Sequence, residues 1–233
     1  MNKPVESNNN GQDTKEEIDE IFEIVADKLN EHGIPWWVTA GSMLGCYREG
    51  KRIEWDHDYD LGYPIEYAPS VLEALLEIPD VYISSNLYFR VGKITDILSR
   101  DHFVCLKPFI FTDEGVYRVT SPLKRYTYKL SSRGFHTIPV GIKRLLNKII
   151  RKFPLCIQKA IVKADMETFI PVRFRGPKEE YSSWYQTKMG DVDVKLPIGV
   201  ESILERLYGD DYMTPKREGE YELGGDLKDF PDP

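Results

Sequence analysis

The sequence predicts a mixed α/β domain, with a mixed sheet flanked by helices. Three observations carry that prediction. Apolar residues at helical spacing form one stripe at Ile18, Ile21, Phe22, Val25 and Leu29 and another at Val200, Ile203, Leu204 and Leu207. Between them lie short runs rich in β-branched and aromatic residues, bounded by Gly, Pro and Asp, which read as strands. The chain has 233 residues, 41% hydrophobic and 30% charged, enough for one domain with a sizeable core.

In chain order, residues 1–13 are polar and read as a disordered tail. A helix starts at Thr14, with Glu17 completing a capping box, and Gly33 closes it. Ile34 to Thr39 reads as a strand leading into Gly41-Ser42, and Met43 to Arg48 as one or two helical turns. Glu49 to Arg52 is a charged loop, followed by a strand carrying Trp55-Asp56-His57-Asp58-Tyr59-Asp60-Leu61-Gly62, which Pro64 ends. Pro69 opens a second helix that buries Val71, Leu72, Leu75 and Leu76. Strands follow at 87–94, 102–111, 116–120 and 123–130. Ile142, Leu145, Leu146, Ile149, Ile150 and Phe153 predict a basic amphipathic helix that Pro154 breaks, within an insert spanning 141–164. Residues 169–190 read as irregular and aromatic, Val192 to Leu196 as an edge strand, and Gly209 as the cap of the last helix. The domain so drawn spans 14–215, and 216–233 reads as a flexible tail.

The chemistry concentrates between Thr39 and Tyr63. In a strand, alternate side chains share a face, so Asp58 and Asp60 point together while Tyr59 and Leu61 point into the core. Two carboxylates on one face repel unless a cation lies between them, and hard oxygen donors favour Mg2+ or Mn2+. Gly41 and Ser42 leave backbone N–H groups free at a helix start, a seat for phosphate. An Asp-rich run alone is more often a solvated turn. The combination of an apolar strand, Gly-Ser and, sixteen residues after Ser42, an Asp-x-Asp among apolar residues is the pattern of the polymerase-β-like nucleotidyltransferase superfamily.

Within that superfamily the stretch resembles the LicD family of phosphorylcholine transferases, which includes the fukutin-related proteins. That family shows Gly-Ser/Thr-Leu-Leu-Gly-x-x-Arg and then Trp-Asp-x-Asp-x-Asp. Here the first segment runs from Gly41 to Arg48 and the second from Trp55 to Asp60. Weaker likenesses lie at Ser121 to Tyr126 and at Leu207 to Pro215. The resemblance implies a polymerase-β-like nucleotidyltransferase fold. It implies transfer of a phosphorylated alcohol, such as phosphorylcholine, from a CDP-alcohol donor to a glycan or lipid-linked glycan hydroxyl, as in a cell-envelope polysaccharide. The implied roles are Mg2+ or Mn2+ on Asp58 and Asp60, donor phosphates on Gly41, Ser42 and Arg48, and orientation or activation of the acceptor by Asp56. It also implies an aspartate where this chain has Cys105, so Cys105 stands at a third metal-side position. Two other readings stay open. One is nucleotidyl transfer to a small molecule or protein. The other is a degenerate transferase fold that binds an anionic glycan or lipid.

Net charge is −7, unevenly spread. No Asp or Glu occurs from Gly115 to Ala164, where Lys and Arg recur from Arg118 to Lys163. A basic amphipathic segment of this kind suits peripheral contact with an anionic membrane. No nucleic-acid partner is expected. Cys46, Cys105 and Cys156 lack metal-ligand spacing and suit reduced thiols. The polar N-terminus lacks the apolar run of a secretory signal, and no run is long enough to span a bilayer. The expected location is the cytoplasm, including its membrane face.

Overall fold

A computed structural model of the chain describes residues 10–83, 88–93, 103–120 and 152–216. Helix α1 (Asn10–Glu31) begins four residues before the expected capping box. Its stripe is buried, with Ile18, Phe22, Val25 and Leu29 all at 1% exposure or less. Gly33 takes φ +63° and the Ile34 N–H returns to the Leu29 carbonyl, which closes the helix as expected. Strand β1 is only Trp37–Val38, because no more of the run reaches β2.

Helix α2 (Ala40–Glu49) is longer than expected and takes Gly41 and Ser42 into its first turn. Strand β2 (Asp58–Pro64) follows, then helix α3 (Ala68–Leu76), with Pro69 in its first turn. Strands β3 (Val81–Ile83), β4 (Phe89–Lys93), β5 (Phe103–Phe111) and β6 (Val116–Thr120) build the sheet, and β3 is an element the sequence pattern did not reveal. Helix α4 (Leu155–Glu167) starts directly after Pro154, which cannot continue an incoming helix. The stretch read as irregular contains β7 (Ile170–Gly176) and β8 (Trp184–Met189), and β8 pairs with β9 (Val192–Pro197) in a hairpin turning at Gly190. Helix α5 (Val200–Tyr208) ends at Gly209. The expected strand at 123–130, most of the helix expected before Pro154 and most of each tail lie outside the described residues.

The sheet order is β1-β2-β5-β4-β3, with β6 joined to β5 and β7 to β6. Strand β2 runs parallel to β5, and every other described pairing is antiparallel, so the sheet is mixed. One face carries Tyr59, Leu61, Tyr63, Val104 and Leu106, packed under α1, where the Phe22 and Tyr59 rings stack at 4.0 Å. The other face carries Asp58, Asp60 and their neighbours. Helices against a mixed sheet, with acidic residues on one face of an inner strand, make an α/β nucleotidyltransferase-like fold. No described helix is long and apolar enough to cross a membrane.

Candidate active site

Asp60 is anchored through its backbone from both sides. Its N–H donates to the Ser42 hydroxyl at 2.8 Å, and its carbonyl accepts the Thr39 N–H at 2.9 Å. The Gly-Ser at the head of α2 is therefore coupled directly to the aspartate strand. Ser42 is 1% exposed, so its side chain serves that junction. Gly41 is required for a different reason. A Cβ at this position would lie 2.7 Å from Oδ2 of Asp56, closer than two such atoms can approach. The glycine thus leaves room for the Asp56 carboxylate beside it.

Asp56 precedes β2 rather than belonging to it. Its Oδ1 accepts the His57 N–H at 2.9 Å, and its carbonyl accepts a hydrogen bond from Arg52, which also pairs with Asp19 at 3.0 Å. These contacts fix the loop that delivers Asp56. Asp58 and Asp60 share one face, as the two-residue period requires, with Tyr59 and Leu61 buried on the other. A cavity of about 320 Å³ lined by Asp19, Arg52, Tyr59 and Gly190 includes none of the three aspartates.

The parallel register sets Asp60 opposite Cys105 and Gly62 opposite Lys107. The Cys105 thiol donates to Asp58 Oδ2 at 3.7 Å. Donor atoms of Asp58, Asp60 and Cys105 all lie within 4.8 Å of one another. Cys105 is 1% exposed in the sheet interior and still faces the carboxylates, at the third position the resemblance implies. The Lys107 ammonium, also buried, lies 2.6 Å from Asp60 Oδ1. Across β4, Arg90 is opposite Cys105, and its guanidinium stacks on Tyr88 at 5.5 Å.

Electrostatics follow from this crowding. Burial, then the neighbouring Asp56, pushes the Asp58 carboxyl up to about 6, against the opposing pull of Lys107 and Arg90. Burial, then Asp60, raises Asp56 as well. Burial and the two aspartates push the Cys105 thiol up to about 12. Carboxylates that resist ionising because they are buried together are what a cation relieves. Two carboxylates and a thiol at these separations fit a divalent cation.

Arg48 is placed elsewhere. It stands near the far end of α2, about 10 Å along the axis from Gly41. There it pairs with Glu49 at 2.6 Å and reaches the Tyr212 carbonyl at 3.4 Å. Its side chain is 4% exposed. Tyr47 beside it hydrogen-bonds Glu201 on α5. Arg48 therefore joins the first motif to the segment 207–215, a contact the sequence does not reveal. The contacts described for it are to Glu49 and Tyr212. Lys107 and Arg90 are the cations the sequence reading missed. Lys107 did leave a signal, as the one charge in an otherwise apolar strand, Phe103–Phe111.

Residues 33–103, from the end of α1 to the start of β5, match the profile described as LicD/FKTN/FKRP, nucleotidyltransferase domain. This region is LicD-like. Curated relatives agree: ribitol-5-phosphate transferase FKTN from Mus musculus is 32% identical over 80 residues, and its Homo sapiens counterpart 33% over 79. Ribitol 5-phosphate transferase FKRP from Homo sapiens is 40% identical over 47 residues. The FKTN matches cover 34% of this chain and 16% of the relative, and the FKRP match covers 20% and 10%. This chain therefore aligns with only a small part of those proteins' length. The matched region contains Gly41, Ser42, Arg48, Asp56, Asp58 and Asp60, whereas Cys105 and Lys107 lie just beyond it.

Proposed function

We propose that this chain is a metal-dependent transferase that moves a phosphorylated alcohol from a CDP-linked donor to a glycan hydroxyl. The observation that carries the reading is the cluster of Asp58, Asp60 and Cys105 donor atoms, with Asp56 beside the head of α2, inside or bordering the LicD-like region. A divalent cation on Asp58 and Asp60, once bound, would neutralise the donor diphosphate and orient it for in-line attack.

The chain's own residues would do the rest. Backbone N–H groups at the first turn of α2, at Gly41 and Ser42, and the Arg90 guanidinium would hold donor phosphate oxygens. The raised carboxyl of Asp56 suits a general base that takes the acceptor hydroxyl proton on a side-chain oxygen. The acceptor oxygen would then bond to phosphorus of the alcohol phosphate as the bond to the bridging oxygen breaks, and CMP leaves. Arg48 is assigned to holding the segment 207–215 against α2, and not to the donor.

The alcohol is either a polyol, as in the names of the FKTN and FKRP relatives, or choline. Incubation with CDP-ribitol and CDP-choline, each with Mg2+ or Mn2+ and a glycan acceptor, tests the reading by mass analysis of the product. Gain of a phosphoalcohol supports it. Gain of a nucleoside monophosphate instead supports nucleotidyl transfer, which the same aspartates also suit. The peripheral membrane contact is proposed on an exposed row along α4. Phe153, just before the helix, and Ile157 and Ile161 on it are spaced by four residues and are 49%, 46% and 53% exposed, within the basic stretch.

A further inference from the structure

Lys107 is an odd resident for this site. Its ammonium is buried on the aspartate face and lies 2.6 Å from Asp60 Oδ1. A buried ion pair of this kind gives the fold little, because desolvating both charges offsets most of their attraction. Stability alone is therefore a poor account of a lysine here. Its position suggests another. In two-metal phosphoryl-transfer sites one carboxylate bridges, giving an oxygen to each of two cations about 3.5–4 Å apart. Asp60 stands between a cation and the cluster of candidate metal ligands. One of its oxygens is held by the ammonium, while the residue also contributes a donor atom to the cluster with Asp58 and Cys105.

We propose that Lys107 is a fixed cation standing where a second metal ion would bind, so that the site takes a single divalent cation on the Asp58 and Cys105 side. This rests on the metal-dependent reading above. Charge supports it. Asp56, Asp58 and Asp60 face Lys107 and Arg90, leaving one uncompensated negative charge. One divalent cation, with Cys105 bound as its thiolate, brings the site to neutrality. A second would overload a buried site that already holds an ammonium. A lysine is also suited to the role because its charge is compact and strongly localised, whereas the Arg guanidinium is a broad planar fork.

The test is titration of the purified chain with Mn2+, reading free Mn2+ by electron paramagnetic resonance and following melting temperature in parallel. The wild-type chain is expected to bind one Mn2+ with an uncoupled spectrum, and Lys107→Arg likewise. Lys107→Gln is expected either to bind a second, spin-coupled Mn2+ or to hold the single ion at least tenfold more tightly. Should Lys107→Gln fold poorly alone, the wild-type stoichiometry still decides. Two ions in the wild type, or a Lys107→Gln chain with unchanged stoichiometry and affinity, would overturn the inference and leave the metal-dependent reading standing. Absence of Mn2+ binding in all three chains would overturn that underlying reading and this inference with it.

Discussion

Replacing Asp58 with Asn should make the protein without metal more stable, and the gain should depend on pH. Asp58 is held at about 6, against an ordinary 3.8, chiefly by burial and by Asp56. At about 1.4 kcal/mol per unit, the roughly two-unit rise is a cost of about 3 kcal/mol to keep this carboxylate ionised in the fold. Asn is nearly isosteric and carries no charge. It gives up part of the thiol contact from Cys105, a loss of about 0.5–1 kcal/mol, leaving a net gain of about 2 kcal/mol at pH 8.

The sign runs one way. A carboxyl raised in the folded state adds stability that is complete below its unfolded value and lost as pH climbs through its folded value. Wild-type stability from this group is therefore lost between about pH 4 and pH 6, and the variant does not lose it. In a domain of this size, about 2 kcal/mol corresponds to a rise in melting temperature of about 4–8 °C at pH 8. At pH 4 the variant should show no gain. Thermal melts of both chains in chelator, across pH 4 to 8, measure this directly. A variant no more stable than wild type at pH 8, or equally stabilised at both ends, would refute the electrostatic account of the site. With Mn2+ present the order should reverse, because only the wild type gains from the ion.

Other outcomes follow from the same geometry. Gly41→Ala places a Cβ 2.7 Å from Asp56 Oδ2, so Asp56 must move; transfer should fall about a hundredfold with the helix intact, as kcat and circular dichroism will show. Cys105→Asp should cost about 3–5 kcal/mol without metal, since it adds a carboxylate to a buried acidic cluster, and Mg2+ should recover much of that loss in a thermal melt. Metal affinity should rise as pH climbs through about 6, where Asp58 ionises, and calorimetry at pH 5 and pH 7.5 should show more protons released on binding at the lower pH, where Asp58 adds its proton to that of the Cys105 thiol. Flotation with anionic vesicles should be lost in Ile157→Glu/Ile161→Glu and should weaken with salt. Flotation unchanged in that variant would remove α4 from the membrane reading.

Local pattern was enough for much of this protein. The stripe from Ile18 to Leu29, the turn at Gly33 and the Pro-led α3 are each set by neighbours within a turn or two of chain, which periodicity reads directly. The common face of Asp58 and Asp60 follows from the strand period alone. What only the tertiary structure decided involves distant pairing. Asp58 and Cys105 are 47 residues apart, and no local rule says that β5 runs parallel to β2 in the register that sets Cys105 and Lys107 beside the aspartates. The antiparallel register of β4 adds Arg90 in the same way. Arg48 shows the converse. Its place in the motif pointed to the donor, but seven residues of helix set it about two turns from Gly41, where the segment 207–215 brings the Tyr212 carbonyl to it. Side-chain period is a property of one strand, whereas the company a side chain keeps depends on which strands pair and on how far a helix runs before it ends.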